Sequence, residues 1–441
     1  MREYLLLALV LISIPLVIKR PLWALMIYLG VNIIRPEMLF WGGNTGSYVF
    51  MVYYLALLAG LFLQGEHLKI GRIMQSEFLL MLWMLGAIML SILLAQFPVF
   101  REYYYFFELV KGFVICGTLY LLVTTFDDFK KIQTVMLYCF GCMAIWGIDQ
   151  HFRGNERLEG LGGSAWGDSN GVAAMFILFL PAALAMAFAS ENRKQFWIAL
   201  VIAALMVVLV VCTQSRSGLI GLTVALIMFG FFSRNMARVA KLALVLVLVA
   251  IPFATQQYLE RMNTMTETGG GFEQSARDRI AMWKAGLYIF ADNPLIGTGF
   301  LTFAEAKMNY EDRFSNLDND FRNSLFRQEN KKVTHNTYIQ MLSDTGLLGA
   351  VPFALLVTGG ISLGLKSRRL LRLHSEQSTA LLWISGLCAG IAGFAVCILS
   401  IDAAMTIEMY IQIILATILY RITLNKLKES SGTLAAAGKA P

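Results

Sequence analysis

Charged residues are scarce in this chain. Only 15% of its 441 residues are Asp, Glu, Lys or Arg, whereas 57% are hydrophobic, and the mean hydropathy is +0.64. Soluble globular domains carry about 25% charged residues, so the composition excludes an ordinary soluble protein. We therefore expect an integral membrane protein.

Metal-ligand clusters and nucleotide-binding patterns are also missing from the sequence. The six cysteines fall inside or at the edges of apolar runs, which argues against a disulfide framework. No His/Cys cluster or carboxylate array with metal-ligand spacing stands out on the predicted periplasmic side, and there is no Walker sequence. We expect neither a metal nor another cofactor, so the energy for any reaction must come from the substrate.

Apolar runs recur along almost the whole chain, from residues 5–18 to residues 403–419. A spanning helix needs roughly 20 apolar residues, and the first two runs are short, so we predict about 12 or 13 transmembrane helices. Barrel-like alternation is absent, which makes the expected fold class all-α. Residues 1–429 are predicted to form a single membrane-embedded catalytic domain, and residues 430–441 a disordered tail.

Lysine and arginine concentrate in every second short loop, which should face the cytoplasm. These basic loops contain Lys69 and Arg72, Lys130 and Lys131, Arg193 and Lys194, Arg234 with Arg238 and Lys241, Lys366 with Arg368, Arg369 and Arg372, and Arg421 with Lys426 and Lys428. Orientation thus explains the net charge of +7, and no nucleic-acid partner is expected. The opposite loops, and one long polar loop at residues 256–335 that could act as a lid, should be periplasmic.

Arginines on the predicted periplasmic side work against the orientation rule and are candidates for binding phosphate. Arg216 lies in a very short polar turn between two apolar helices, where its planar fork suits a phosphate oxygen. Arg279 and Trp283 share one face of a predicted loop helix and could present a cation beside a sugar-stacking ring, with Arg277 offset from that face. Snorkelling to lipid headgroups, or simple solvation, explains these arginines equally well.

His335 lies where the long loop returns to an apolar helix. An imidazole, whose reference pKa is about 6.5, can take a proton from a sugar hydroxyl, although a histidine at a helix start is more often a cap or a surface residue. Asp168 and Asn170 precede another apolar helix and either cap it or shape a pocket.

Ionisable residues also occur at predicted membrane depth. Glu108 and Lys111 are spaced to pair on one helix face, and they can form either a structural ion pair or part of a site. Asp402 and Glu408 lie near the last predicted periplasmic turn. Because ionisable groups are costly inside a bilayer, all four residues are functional candidates.

Five short motifs occur in a particular order, two of them before the long loop and three within it or at its end. They are Gly-Asp-Ser-Asn at 167–170, Thr-Gln-Ser-Arg-Ser-Gly at 213–218, Arg-x-x-x-Trp at 279–283, Asn-Pro-Leu-Ile-Gly-Thr-Gly at 293–299 and His-Asn-x-Tyr at 335–338, followed by Gly346 and Gly349. Together they resemble the O-antigen ligase and polymerase superfamily of bacterial envelope glycosyltransferases. The sequence is also similar to O-glycosylation ligases associated with exosortase systems, through 167–170 and Gln-Ser-Ala-Arg-Asp-Arg at 274–279.

The resemblance implies a GT-C-like, multi-pass enzyme of the bacterial inner membrane, with membrane lipids around it and its active site facing the periplasm. Such an enzyme moves a glycan from undecaprenyl diphosphate to a sugar hydroxyl of lipid A-core in lipopolysaccharide assembly, without a metal and with inversion. Carried over by position, Arg216 and Arg279 would hold the diphosphate and His335 would act as general base. Arg277 and the pair Asp168 and Asn170 would assist, and Lys111 is a further assisting candidate.

Three other functions stay open at this point. An O-antigen polymerase would use a second lipid-linked glycan as acceptor, and a protein O-glycosylation ligase would use a protein. A transporter of lipid-linked glycans is less favoured, because transporters bind their substrates near the bilayer midplane and the unexplained arginines here lie at one face.

Overall fold

The computed structural model describes residues 11–15, 17–35, 45–63, 76–97, 100–155, 157–161, 166–253, 270–327, 332–373 and 378–437. Within these ranges all regular structure is helical. The labelled α-helices are α1 (Pro21–Ile34), α2 (Thr45–Leu63), α3 (Ser76–Leu93), α4 (Arg101–Leu122), α5 (Phe126–Phe152), α6 (Ser169–Phe188), α7 (Arg193–Cys212), α8 (Arg216–Phe232), α9 (Met236–Ala250), α10 (Gly270–Asp292), α11 (Phe303–Ala306), α12 (Asn319–Phe326), α13 (Thr337–Leu373), α14 (Ser378–Cys397) and α15 (Ile407–Ala437). Short 3₁₀ segments occupy Ile251–Phe253 and Lys307–Phe314.

In the described part of the chain, nine helices are long and apolar enough to cross a bilayer: α3 to α7, α9, α13, α14 and α15. Three shorter apolar helices are α1, the Met51–Leu63 part of α2, and α8. The predicted all-α, polytopic membrane fold is therefore confirmed. The shorter helices span only roughly 20 to 26 Å, which is less than the hydrocarbon core, so the expected count of about 12 or 13 is approached only if they cross as well.

Helix α6 lies at the centre of the bundle and packs against α7, α8 and α14. In its most apolar stretch 94% of the residues are buried, as expected of a helix that is hydrophobic on all sides. Glycines on α14 allow the close approach. A Cβ added at Gly390 would lie 2.0 Å from the carbonyl oxygen of Leu178, and one added at Gly386 would lie 2.6 Å from that of Pro181. Small residues thus let the two backbones pack directly together.

One end of the bundle, the basic face, gathers several of the predicted basic loops. The guanidinium of Arg368 on α13 donates to the carbonyl oxygen of Phe231 on α8 at 2.9 Å and lies 4.0 Å from that ring. Arg421 on α15 pairs with Glu77 on α3 at 3.2 Å. The helix ends that charge alternation predicts to lie on the same side of the membrane are therefore in contact. The predicted loop with Lys69 and Arg72 lies outside the described residues.

The long loop contains a small helical domain with its own hydrophobic core. Residues from α10, α11, α12 and the intervening 3₁₀ segment form that core, and α10 confirms the helix predicted around Arg279. Lys307 is 1% exposed at its centre, and its ammonium donates to the carbonyl oxygens of Leu325 and Lys332, both at 2.9 Å. Burial, together with the nearby charge of Lys332, lowers the pKa of Lys307 to about 8. Residues 256–269 and 328–331 of the predicted loop lie outside the described residues.

Helix α15 is described as far as Ala437. The composition predicts a disordered tail from residue 430, whereas the structure continues the helix through the first residues of that segment. Ala435 to Ala437 at its described end have high helix propensity, whereas Ser430 to Thr433 do not.

The Asn-Pro-Leu-Ile-Gly-Thr-Gly motif fills a break in α13. Gly346 has φ 58° and ψ −160° and interrupts the helix. The backbone N–H of Leu347 donates to the carbonyl oxygen of Pro294 at 2.8 Å, and that of Thr298 donates to the carbonyl oxygen of Ser343 at 3.1 Å. A broken helix inside a membrane protein needs such partners for its backbone groups. The motif therefore joins the loop domain to α13.

We expect Gly297→Ala to disrupt this junction. Gly297 has φ 73°, and an added Cβ would lie 2.4 Å from the backbone carbonyl of Asp344. Left-handed strain alone costs about 1–2 kcal/mol, and the clash adds to it. Gly160→Ala is the matched control, because Gly160 has φ 80° but no atom near the added Cβ. Thermal unfolding in detergent should show a clearly larger loss for Gly297→Ala. Equal losses would mean that the close contact contributes nothing beyond backbone strain.

Candidate active site

His335 is exposed on the turn that precedes α13, and its backbone has φ 47°. One carboxylate holds this turn. Asp402 Oδ2 accepts from the backbone N–H of His335 at 3.1 Å, while Oδ1 accepts from the Thr334 hydroxyl at 2.5 Å and from the Asn336 N–H at 3.1 Å. A non-glycine residue persists in the left-handed region only when its surroundings enforce it. Asp402 thus fixes the backbone that presents the imidazole.

The turn between α14 and α15, which carries Asp402, is bonded to the start of α13. The Thr337 hydroxyl donates to the carbonyl oxygen of Ile401 at 2.7 Å and accepts from the backbone N–H of Ala403 at 2.9 Å. The Thr337 N–H donates to the carbonyl oxygen of Ile398, also at 2.9 Å. The ends of three membrane helices therefore form one rigid unit around His335.

Helix α10 docks on the same segment from the loop domain. The Trp283 indole N–H donates to the carbonyl oxygen of Thr334 at 3.0 Å, and Lys332 pairs with Asp278 at 2.6 Å. Arg279 lies one helical turn from Trp283, about 6 Å along the axis and on the same face. It is half-buried. The predicted Arg279 and Trp283 pair is therefore placed beside the His335 turn.

The motifs around Asp168 and Arg216 are joined by side chains. Asp168 caps α6, since its carboxylate accepts two backbone N–H groups at 3.1 Å, and it also accepts from the Asn170 amide at 3.0 Å. The Ser215 hydroxyl donates to Asn170 Oδ1 at 2.7 Å and accepts from the Gly218 N–H at 3.0 Å, which caps α8. Arg216, half-buried, is the first residue of α8. The capping interpretation of Asp168 is confirmed. Through Asn170, Asp168 is also connected to Ser215, the residue that precedes Arg216.

A cavity of about 280 Å³ brings the two groups of motifs together. Its lining includes His335 and Asp402 on one side and Asp168 with Trp166 on the other, above an apolar base that contains Phe394. Arg216 and Arg279 do not line this cavity. Ser215, next to Arg216, bonds through Asn170 to Asp168 at its edge, and Trp283, one turn from Arg279, bonds to Thr334 beside His335. We call this end of the bundle, formed by the starts of α6, α8, α13 and α15, the site face. It lies at the opposite helix ends from the basic face.

Two of the predicted assisting residues lie elsewhere. Arg277 lines a different cavity of about 900 Å³ on the loop domain. Lys111 pairs with Glu108 on α4, as their spacing predicts, and both side chains are more than one-third exposed. A further cavity, of about 1190 Å³, opens at the basic face beside Lys130 and Lys131 and is lined by none of the predicted site residues. In the described ranges, no three His, Cys, Asp or Glu side chains are grouped as metal ligands.

The structure adds roles that sequence reasoning missed. Asp402 was an ionisable candidate without a partner, because it lies 67 residues from His335 in the chain. Arg157 belongs to none of the sequence motifs, yet its guanidinium donates to the Ser169 hydroxyl at 3.1 Å, next to Asp168. It also pairs with Glu159 at 3.1 Å. Neither role has a local sequence signal, since both depend on contacts across loops.

The arrangement supports proton transfer next to a bound anion. An exposed imidazole with a fixed backbone borders a cavity, and the half-buried Arg216 and Arg279 lie on α8 and α10, the helices whose neighbouring residues bond to its edge. Such an array can accept a proton and stabilise negative charge that develops within a few ångströms.

Two family models match the chain. The model described as O-antigen ligase matches residues 201–354, a range that includes Arg216, Arg279 and His335. A model described as a family of unknown function matches residues 1–154. No curated protein matches the sequence. Residues 201–354 therefore form a domain of the O-antigen ligase family, which agrees with the resemblance predicted from the motifs.

Proposed function

We propose that this protein is an O-antigen ligase that transfers a glycan from undecaprenyl diphosphate to a sugar hydroxyl of lipid A-core. We place the reaction at the periplasmic face of the bacterial inner membrane, during lipopolysaccharide assembly. The observation that carries the proposal is the exposed His335 imidazole at a cavity shared with Asp168, with guanidinium groups on the two flanking helices. The match of residues 201–354 to the O-antigen ligase family model supports this reaction class.

In the proposed reaction, His335 acts as general base. The imidazole takes the proton of the acceptor hydroxyl, and the oxygen then attacks the anomeric carbon of the donor sugar. The new C–O bond forms as the bond between that carbon and the diphosphate oxygen breaks on the opposite side, so the configuration inverts. The proton ends on His335 and the electron pair on the diphosphate.

Arg216 and Arg279 stabilise the charge of the departing diphosphate. A guanidinium offers two parallel N–H donors to phosphate oxygens, and donors that are already in place act most strongly where charge develops in the transition state. Because these cations can carry the electrostatic task, the proposed reaction is independent of metal. Asp168 and Asn170 shape the cavity edge and connect it to the Arg216 turn.

A reconstituted transfer reaction tests the function. Purified protein in detergent is mixed with undecaprenyl diphosphate-linked glycan and one acceptor at a time: lipid A-core, a second lipid-linked glycan, or a protein. Transfer to lipid A-core in the presence of EDTA supports the proposal. Transfer only to the second or third acceptor would replace it with a polymerase or a protein ligase. No transfer in detergent, together with movement of glycan across vesicle membranes, would indicate a transporter.

His335→Ala should lower the transfer rate at least about 10²-fold, because general-base catalysis contributes that much or more. His335→Gly suits the left-handed backbone better and should regain part of its activity in added imidazole. Thermal unfolding of both variants should match that of the unchanged protein. Near-normal transfer by His335→Ala would remove the residue from the mechanism.

Arg216→Lys and Arg279→Lys should each lower transfer roughly 10²-fold, since a point charge does not reproduce a bidentate fork. Arg153→Lys is the matched control, because Arg153 is exposed at the same face and pairs with Asp149 on its own helix. Its transfer rate should stay near normal. Equal transfer rates for all three variants would show that the donor site does not require the geometry of a guanidinium group.

Asp402→Asn should slow transfer by about tenfold or more, because an amide nitrogen cannot accept the backbone N–H bonds that orient the His335 turn. The decisive measurement is a double-variant cycle. If Asp402 acts through His335, adding Asp402→Asn to His335→Ala should cause no further loss. A further loss of the same size as in the single variant would show that Asp402 acts independently. Asp149→Asn, at an exposed carboxylate of the same face, serves as control.

A further inference from the structure

One face of helix α10 contacts the His335 turn, and a second face lines a cavity that the proposed reaction does not use. Arg277, Ala281, Lys284 and Tyr288 follow one another at helical spacing and line the cavity of about 900 Å³ on the loop domain. Trp283, which contacts the His335 segment, is not among the residues that line it. The helix therefore separates this cavity, the loop cavity, from the candidate active site.

Aromatic rings form part of the wall of the loop cavity. Tyr288 packs edge-on against Phe314, with 5.8 Å between the ring centroids, and Phe314 is buried in the loop-domain core. Phe321 on α12 lines the cavity as well. Tyr288 and Phe321 are both half-buried, so part of each ring is accessible. Partly exposed rings with buried support offer rigid surfaces for stacking.

Polar groups of both signs surround these rings. Arg313 pairs with Asp292 at 2.7 Å and lies 5.1 Å from the Tyr288 ring, so its guanidinium is held in place. Asp318 is fixed as well, since its carboxylate caps α12 through two backbone N–H groups. Lys284 and other polar side chains of the lining are exposed. The cavity therefore offers hydrogen-bond donors and acceptors beside aromatic faces.

This combination selects against several ligand classes. A lipid tail would leave the charged rim without water or partners. A polyanion such as nucleic acid would meet the carboxylates of Asp318 and Asp320. A sugar has apolar ring faces for stacking and many hydroxyls that both donate and accept, so it matches all the groups present. The volume also falls within the range of small-molecule sites.

We propose that the loop cavity binds an oligosaccharide, with one sugar ring stacked against Tyr288 and Phe321 and its hydroxyls bonded to charged groups of the rim. The inference rests on the proposed glycan transfer. A helix is about 10–12 Å thick, so a sugar in the loop cavity lies one helix diameter from the His335 side of α10. The bound unit is therefore a part of the glycan that does not react. It increases affinity, and Arg277 belongs to this cavity instead of assisting at the reacting atoms.

Binding to the full-length protein in detergent tests the proposal. Two lipid-free probes are titrated separately by calorimetry: the core oligosaccharide released from lipopolysaccharide, and the glycan released from the donor. At least one probe should bind saturably. Tyr288→Ala and Arg277→Gln should each weaken that binding by about tenfold or more, a change of about one power of ten in Kd. Arg277→Gln changes an exposed residue, so it remains informative if Tyr288→Ala disturbs the loop core.

Arg327→Gln is the matched control, because Arg327 is exposed at the end of α12 and does not line the cavity. Its binding should equal that of the unchanged protein. In the transfer reaction, Arg277→Gln should raise the KM of one substrate with little effect on kcat. A raised acceptor KM identifies the bound oligosaccharide as lipid core, and a raised donor KM identifies it as the transferred glycan.

Two results would overturn the inference: no binding of either probe at about 1 mM, or equal binding by the unchanged protein and both cavity variants. If transfer to lipid A-core is normal in those cases, the inference fails and the proposed function stands. Conversely, saturable binding that depends on Arg277, in a protein that transfers no glycan to any acceptor, supports the cavity and contradicts the proposed function.

Discussion

The carboxylate of Asp402 holds together the turn on which the candidate active site depends. It receives hydrogen bonds from three consecutive residues, Thr334 to Asn336, and so keeps His335 in a backbone conformation that a histidine rarely adopts. The carboxylate itself stands on the turn between α14 and α15, which is bonded to the first residue of α13. A general base must lie at a defined distance from the hydroxyl that it deprotonates. A rigid backbone keeps that distance, and small displacements lower the rate of proton transfer.

A second constraint comes from the bilayer. Helix α13 is broken at Gly346, and the freed backbone groups need partners where water is scarce. The motif at residues 293–299 supplies them, and in doing so it anchors the loop domain to a membrane helix. The loop domain is thus attached to the bundle at two places: at this junction, and at the site face, where Trp283 bonds to Thr334 and Thr334 bonds to Asp402. A loop held in this way can place Arg279 reproducibly.

Helix α10 links the two proposals for this protein. One face bears Arg279 and Trp283 and contacts the turn of His335, whereas another lines the loop cavity. A transferase for long glycans has to hold polymers that extend well beyond the reacting bond. Binding energy from a remote part of such a substrate can serve to position the reacting part. Because one face of α10 contacts the His335 turn and another lines the loop cavity, the helix can hold an unreactive part of the glycan close to the reacting part.

Composition and periodicity alone determined the class of this protein. Apolar runs and alternating basic loops predicted an all-α membrane protein and which helix ends would meet, and the spacing of Arg279 and Trp283 predicted a loop helix. These features are local, because bilayer thickness and helical geometry act on consecutive residues. Only the tertiary structure decided that Asp402 holds His335 across 67 residues and that Arg277 lines a cavity on the loop domain, apart from the His335 turn. Such contacts depend on how loops pack against one another, and no spacing in a single sequence encodes that.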